Sequence, residues 1–466
     1  MSIPSPTNSA TALPNHVDPE RLLAAWPRDQ RLAMLASHGG GPFGRFTFAA
    51  SPVSEIELRG PKTLERLRSE LAGVGSTNIT DPLPSGHGYF VMLSYDLFRH
   101  LEPTAISEQT PTDDRDWPDA ILLRCEGGIL QTDETTTICG DPSVVPPLVP
   151  RELPRPKIGP LQGDLQAEEY QRGVASVIEH VHAGNCFQAN LAQRFGADFS
   201  GSIRSLAATA FEVAAPRYGA VLEFGHGRSI VSLSPELFLE TRPGPDGVRV
   251  RTRPIKGTRP SDRTIEELAT SEKDTAELNM IIDLMRNDLG RVCRIGSIEV
   301  SQPRSIETHP TVHHGIAEIS GVLRPEFDVA DLIMAAFPPG SVTGAPKVQA
   351  MRIIDELEPV RRGPYCGAIG WIDDSGFSVL NVAIRTIIAT GTRGDSPDEI
   401  VGRIDYHAGC GIVAESNPLD EYLESLDKAE VFRRTIERMP AADERPFRRD
   451  AGVLLPKAQP GRPDSR

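Results

Sequence analysis

The sequence contains no apolar run approaching the roughly 18 residues that a membrane-spanning helix needs. Its polar start, Met1 to Pro14, has no apolar core of the kind a secretory signal requires. Cysteine is scarce: six residues, at 125, 139, 186, 293, 366 and 410, none at short pair spacing. That pattern excludes a zinc ribbon and a disulfide framework, and the expected compartment is a reducing cytoplasm. Basic residues are also in deficit, 49 Lys and Arg against 64 Asp and Glu, for a net charge of −15. Nucleic-acid affinity comes mainly from cations meeting phosphates, so no nucleic-acid partner is expected, and no anionic membrane either. An anionic substrate stays compatible if a metal ion inverts the local sign. Internal repeats and low-complexity bias are both missing.

Proline, by contrast, is plentiful and clustered. Seven prolines lie between Gly140 and Asp164 (142, 146, 147, 150, 154, 156, 160). That density suits neither a helix nor a central strand and marks a linker or surface crossing at 140–164. It divides the chain into a loose tail (1–15), an N-terminal domain (16–139), a larger domain (165–437) and a Pro/Arg/Asp-rich tail expected to be disordered (438–466). In the first domain, strand-like runs at Gly44 to Phe48, Gly88 to Leu93 and Ala120 to Arg124 alternate with helical spacing over Arg21 to Ser37 and Lys62 to Ala72. In the second, Gln166 to His182 carries an apolar stripe (Tyr170, Val174, Val177, Ile178, Val181) that stops at Gly184-Asn185. A strand over Phe187 to Phe195 follows. Asp373 to Gly376 reads as a hairpin turn between Ala368–Ile372 and Phe377–Ile388.

Several segments carry chemistry. Leu278, Ile281, Ile282, Met285 and Leu289 repeat at helical spacing, which places Asp274 and Glu277 on one face. Glu421 and Glu424 open another helix with the same spacing. Two such pairs brought together repel unless a divalent cation lies between them, and oxygen-only ligands favour magnesium. Either pair alone also describes a solvated helix face. Pro338 to Lys347 sets hydroxyls and glycines ahead of a Pro-started helix, suited to a carboxylate or phosphate and equally to plain capping. The P-loop spacing is not matched. Gly409-Cys410-Gly411 is a glycine-flanked strand end able to admit a ligand. Lys256 sits between proline and glycine breaks after the strand-like Val248 to Thr252. A desolvated amine in such a turn becomes a nucleophile, although most lysines lie at the surface. Glu236, among Leu233, Leu237 and Phe238, reads either as a buried carboxyl fit for general-acid work or as an exposed glutamate after a proline. His180 and His182 point apart on a helix, and His313 and His314 cannot both face one ligand from a strand.

Taken in order, Asn185 to Arg194, Ser234-Pro235-Glu236, Pro254 to Thr258, the Glu277 to Arg291 helix, Gly340 to Lys347, Gly409 to Ser416 and Glu421 to Lys428 resemble the chorismate-utilising family of anthranilate, aminodeoxychorismate, isochorismate and salicylate synthases. The resemblance runs from Tyr170 to Lys428 and extends more loosely to Gly88 to Asp96. It implies an α/β (α+β) fold of the anthranilate synthase component I type, with two packed, antiparallel-rich β-sheets flanked by helices. It also implies Mg2+ held by Glu277 and Glu424, with Asp274 and Glu421 behind them through water. Lys256 would be the nucleophile at ring carbon C2, and Glu236 the proton donor to the departing C4 hydroxyl. Tyr365, Arg385, Gly409, Gly411 and Lys428 would hold substrate carboxylates, while Gly257, Thr258, His314, Ser341 and Thr343 would line the site. Gln188 stands where water-using relatives carry a lysine. Lys256 stands where anthranilate synthases usually lack one and aminodeoxychorismate synthases have it. The resemblance therefore implies amination of chorismate to 4-amino-4-deoxychorismate, as by aminodeoxychorismate synthase component I on the para-aminobenzoate branch of folate synthesis. Ammonia would come from a separate glutamine amidotransferase subunit or from free ammonium. The rival expectations are anthranilate synthase component I and a non-catalytic regulatory protein of the same fold. His407 and Cys410 depart from the family's commoner glycine-alanine-glycine surroundings.

Overall fold

The computed structural model describes residues 18–38, 46–75, 83–260, 264–308 and 312–439. The tail expected at 1–15 lies outside them, as does nearly all of the tail expected at 438–466. Two large sheets organise the described residues, one of 12 strands and one of 10. Every ladder between their strands is antiparallel, so the architecture is mixed α/β with helices outside two facing sheets.

Both sheets cross the Pro-rich segment. In the larger, Ala33–Ala36 pairs with Tyr218–Glu223; in the smaller, Gly88–Leu93 pairs with Ala368–Asp373. One buried cluster takes in residues from Ala33 to Ile388. The segments 16–139 and 165–437 thus share sheets and core instead of folding as separate bodies. The Pro-rich segment is laid onto the surface: Lys157–Ile158 and Gln162–Gly163 pair with the long strand Gln188–Ser202, and Val149 and Arg151 donate to carbonyls of the first helix.

The sheets meet through aromatic rings. Phe48 of the larger sheet lies edge-on to Trp371 of the smaller at 4.8 Å and stacks on Phe90 at 5.4 Å. Outside the larger sheet, Leu22, Trp26, Phe211 and Phe432 fill a second cluster beneath the helices Pro19–Ala25, Ile203–Ala214 and Pro418–Arg438. A third cluster seats Ala167–His182 and Lys347–Leu357 on Gln188–Ser202 through Tyr170, Val174, Ala350 and Ile353. The helix Glu272–Gly290 begins where the Ser271 hydroxyl accepts the Asp274 N–H, and it buries Leu278, Ile281, Ile282, Met285 and Leu289.

Three sequence expectations are corrected. Helical spacing over Arg21 to Ser37 yields a helix only to Ala25. Pro27 forces Trp26 into an extended conformation, and Ala33–Ala36 then runs as a fully buried strand. The run Phe377 to Ile388 is two strands on different sheets, Ser378–Val382 and Thr386–Arg393. Their crossing point is Arg385, held at φ 51°. Lys256 lies not in a turn but in the strand Ile255–Pro260, within a register break against Val312–Val322.

Phe48→Ala removes the ring that joins the sheets and is expected to destabilise the fold by about 3–5 kcal/mol. Urea denaturation followed by tryptophan fluorescence tests this, and an unshifted midpoint would show that the facing sheets do not pack through this residue.

Candidate active site

The strand Glu399–Ile412 is the spine of the site. It pairs with Gln188–Ser202 in unbroken register from Ala189–Ile412 to Ser202–Glu399, so His407, Gly409 and Gly411 share one face. A Cβ added to Gly411 would stand 2.2 Å from Gln188 Nε2 and 3.4 Å from Lys256 Nζ. Only glycine lets the lysine and the glutamine come so close to the strand. The bulge that aims Lys256 inward needs Gly257 at φ 82°, where a side chain would run into Leu268 and Asp274. Gln188, 1% exposed, donates its amide to Glu277 Oε2 at 3.2 Å, while its Oε1 is buried without a partner.

Glu236 faces Lys256 from the opposite wall. It is buried, and its carboxyl engages the Ser341 hydroxyl, the Ile255 N–H and the Lys256 charge. Burial outweighs all three and pushes it up to about 7. A carboxyl that titrates near neutral pH beside a lysine is the arrangement a general acid paired with a nucleophile requires.

The other candidates fall around this pair. His314, buried, bonds the Thr258 hydroxyl through Nδ1 at 2.8 Å. Thr343 turns its hydroxyl back onto Pro339 and Gly340 carbonyls. Arg385, at the sheet crossing, is pulled below its ordinary value by burial, and no carboxylate among the described residues offsets that. An anionic substrate group would supply the missing charge. Tyr365 is buried and stacks on His407, ring centroids 4.9 Å apart. Lys428 donates to the Gly409 carbonyl at 2.9 Å and meets Glu424 at 2.8 Å.

The two carboxylate pairs are not drawn to a single point. Glu421 and Glu424 lie together with Cys410, their ligand atoms within 4.8 Å of one another. Asp274 is held by Arg259 and Glu277 by Gln188. Lys273 acts on both Glu421 and Glu424, so the starts of the two helices face each other. Burial raises Glu421, with the Glu424 charge adding to it against the Ser416 hydroxyl. Burial also opposes ionisation of Glu424, but Lys428 prevails and holds it below its ordinary value. The Cys410 thiol, pushed up to about 12 by burial, stays protonated. Neighbouring carboxylates beside a protonated thiol make an oxygen donor set, which fits a hard cation such as magnesium.

Sequence reasoning missed the residues that hold these groups in place. Arg362, fully buried, donates to the Asn190 carbonyl, the Val342 carbonyl and Glu358, and Glu358 accepts the Ala192 N–H. Lys347 reaches Asp288 at 2.6 Å and the Ala336 carbonyl at 2.8 Å, which pins one helix start to the end of another. The only sequence signal for Arg362 was an i, i+4 charge pair with Glu358, a pattern that more often marks a solvated face.

Comparison with known proteins supplies the family. The model of the chorismate binding enzyme family matches residues 33–434. This chain belongs to that family. The aminodeoxychorismate synthase component 1 of Salmonella typhimurium is 34% identical over 85% of this chain and 91% of its own; the match to the protein of that name from Escherichia coli is 40% identical but spans only 59% of each chain. An anthranilate synthase component 1 of Haloarcula marismortui is 38% identical over 86% of this chain and 87% of its own. The crystal structure of anthranilate synthase component I from Streptococcus pneumoniae superposes with a TM-score of 0.71 at 27% identity, covering 84% of this chain and 92% of that one. It has the fold expected from the sequence motifs.

Because the folded-state pKa of Glu236 lies above its ordinary 4.5, its contribution to stability is complete below pH 4.5 and is lost as pH rises through about 7. Wild type should lose stability relative to Glu236→Gln across that window, measured by denaturation at a series of pH values. Parallel curves would show that Glu236 titrates as an ordinary surface carboxylate.

Proposed function

We propose that this enzyme aminates chorismate to 4-amino-4-deoxychorismate, in the cytoplasm and on the para-aminobenzoate branch, with ammonia delivered by a glutamine amidotransferase subunit. The observation that carries the reading is the facing pair of Lys256, which lies against Gly411, and a buried Glu236 whose carboxyl is pushed up to about 7. At position 188 there is a glutamine tied to Glu277, so no lysine stands there to activate water. Likeness to an aminodeoxychorismate synthase component 1 over 85% of this chain supports the same reading.

In the proposed reaction the Lys256 amine adds to ring carbon C2. Both conjugated ring double bonds shift, and the C4 hydroxyl leaves with the proton of Glu236 as water. Ammonia then adds at C4 and returns a proton to Glu236, both double bonds shift back, and the lysine is released from C2. Splitting one substitution into two lowers the barrier of each. Arg385 and Lys428 would hold carboxylates of the substrate, Tyr365 would wall its pocket, and Ser341 would keep the Glu236 carboxyl in place. Magnesium, held by Glu277 and Glu424 with Asp274 and Glu421 behind, would supply positive charge for the ring carboxylate.

The second reading is anthranilate synthase component I, favoured by the identity to the Haloarcula marismortui protein. Mass spectrometry of the product from chorismate, ammonium and magnesium separates the two: aminodeoxychorismate is expected, and anthranilate would overturn the assignment. Glu236→Gln should lower kcat by about 10²–10⁴-fold with little change in the chorismate KM. A protein that only binds chorismate would show neither turnover nor that loss.

A further inference from the structure

A small cavity is lined by His407, whose ring stacks on Tyr365. Its rim carries Asp113 and Arg361, paired at 2.8 Å and each about one-third exposed. Its floor is the buried trio Arg194, Arg362 and His407. The arginines are fully engaged: Arg194 with Asp114 and Asp164, Arg362 with Glu358, and Arg115 of the side wall with Asp405. His407 differs. It is 6% exposed, and neither ring nitrogen meets a hydrogen-bond partner. Buried polar groups are nearly always satisfied, and an orphan costs stability, so one that persists calls for a ligand.

The position and the size of the cavity narrow that ligand. His407 and Gly411 share a face of one strand, about 13 Å apart at four residues' separation, and Lys256 lies against Gly411. The Tyr365 ring lies flat on His407, which lines the cavity, so the cavity and the residue proposed to wall the substrate pocket meet at this stack. The free volume is about 20 Å³, whereas one water-sized molecule needs about 10–15 Å³. An amino acid or a nucleotide does not fit; a molecule the size of water or ammonia does.

We infer that this cavity is the entry compartment for ammonia, with His407 the group that receives it before it passes Tyr365 to the substrate ring. The inference rests on the amination proposed above. Five carboxylates against four guanidinium groups line the cavity, and this excess draws ammonium to the half-buried Asp113 and Asp114 at the rim. The buried guanidinium groups of Arg194 and Arg362 repel a cation at the floor, so the proton stays with water outside and neutral ammonia moves inward. Burial, reinforced by the Arg194 charge, pushes His407 down to about 3. The ring therefore stays uncharged and keeps one lone pair open to an ammonia N–H.

The test is steady-state kinetics of the full chain with chorismate, magnesium and ammonium chloride. His407→Leu should raise the KM for ammonium about ten-fold, the effect of one lost hydrogen bond, and leave the chorismate KM unchanged. His407→Gln should restore part of it. Thermal unfolding of the Leu variant should come no earlier than wild type, since no hydrogen bond is removed. His407→Ala enlarges the floor and should make methylamine a substrate, seen as an N-methylated product that wild type does not form. An unchanged ammonium KM in the Leu and Ala variants, or equal rises in both KM values, would overturn the inference. A wild-type enzyme that puts no nitrogen into its product would instead overturn the proposed amination itself.

Discussion

Glu236 is a carboxylic acid that the fold has taken out of water, and every other feature of the cleft is arranged around that fact. Each neighbour that touches it, the Ser341 hydroxyl, the Ile255 N–H and the Lys256 charge, favours the anion; burial alone overrides them. A rise from 4.5 to about 7 corresponds to roughly 3 kcal/mol of bias toward the protonated form. That bias lasts only while water is excluded. The wall behind Glu236 is closed by the N–H of Val382, which donates to its carbonyl at 3.0 Å. Directly beyond, the chain leaves the smaller sheet and joins the larger at Arg385. The acid and a cation without a carboxylate partner are thus placed by the same crossing.

The opposite wall depends on one guanidinium. Arg362 bonds the strand that carries Gln188, the loop that carries Ser341 and the end of the helix that follows it. A buried arginine with a full set of partners adds little net stability but defines geometry, because losing any partner strands a charge in a dry interior. It also lies over the Tyr95 ring at 4.6 Å and the Tyr365 ring at 5.7 Å. The same residue therefore braces Tyr365, whose ring stacks on His407, and lines the cavity that His407 floors.

What the sequence revealed and what it hid follow one physical rule. Elements with a regular apolar period were legible. Ala167–His182 and the strand Gly88–Leu93 fall within a residue of their expected bounds, and the helix Glu272–Gly290 ends one residue before its expected end, because one buried face dictates one spacing. The site residues became legible through motif order, not through pattern, since Lys256 and Glu236 taken singly look like surface residues. Sheet membership stayed hidden. Nothing local tells that Ala33–Ala36 pairs with Tyr218–Glu223, so a proline-rich crossing looked like a boundary between two bodies. The supporting pairs Glu358–Arg362 and Asp288–Lys347 were hidden for a related reason: their meaning lies in the tertiary burial that turns a surface-like charge pattern into a fixed brace.

Lys256 is where the fold, the neutral acid and the proposed chemistry converge, and its covalent state is directly observable. With ammonia withheld, chorismate and magnesium should leave the protein heavier by chorismate less one water, and peptide mapping should place that mass on Lys256. Added ammonium should then discharge it. An enzyme that turns chorismate over with ammonium, yet carries no such mass on Lys256 at any time in its absence, would contradict a nucleophilic lysine.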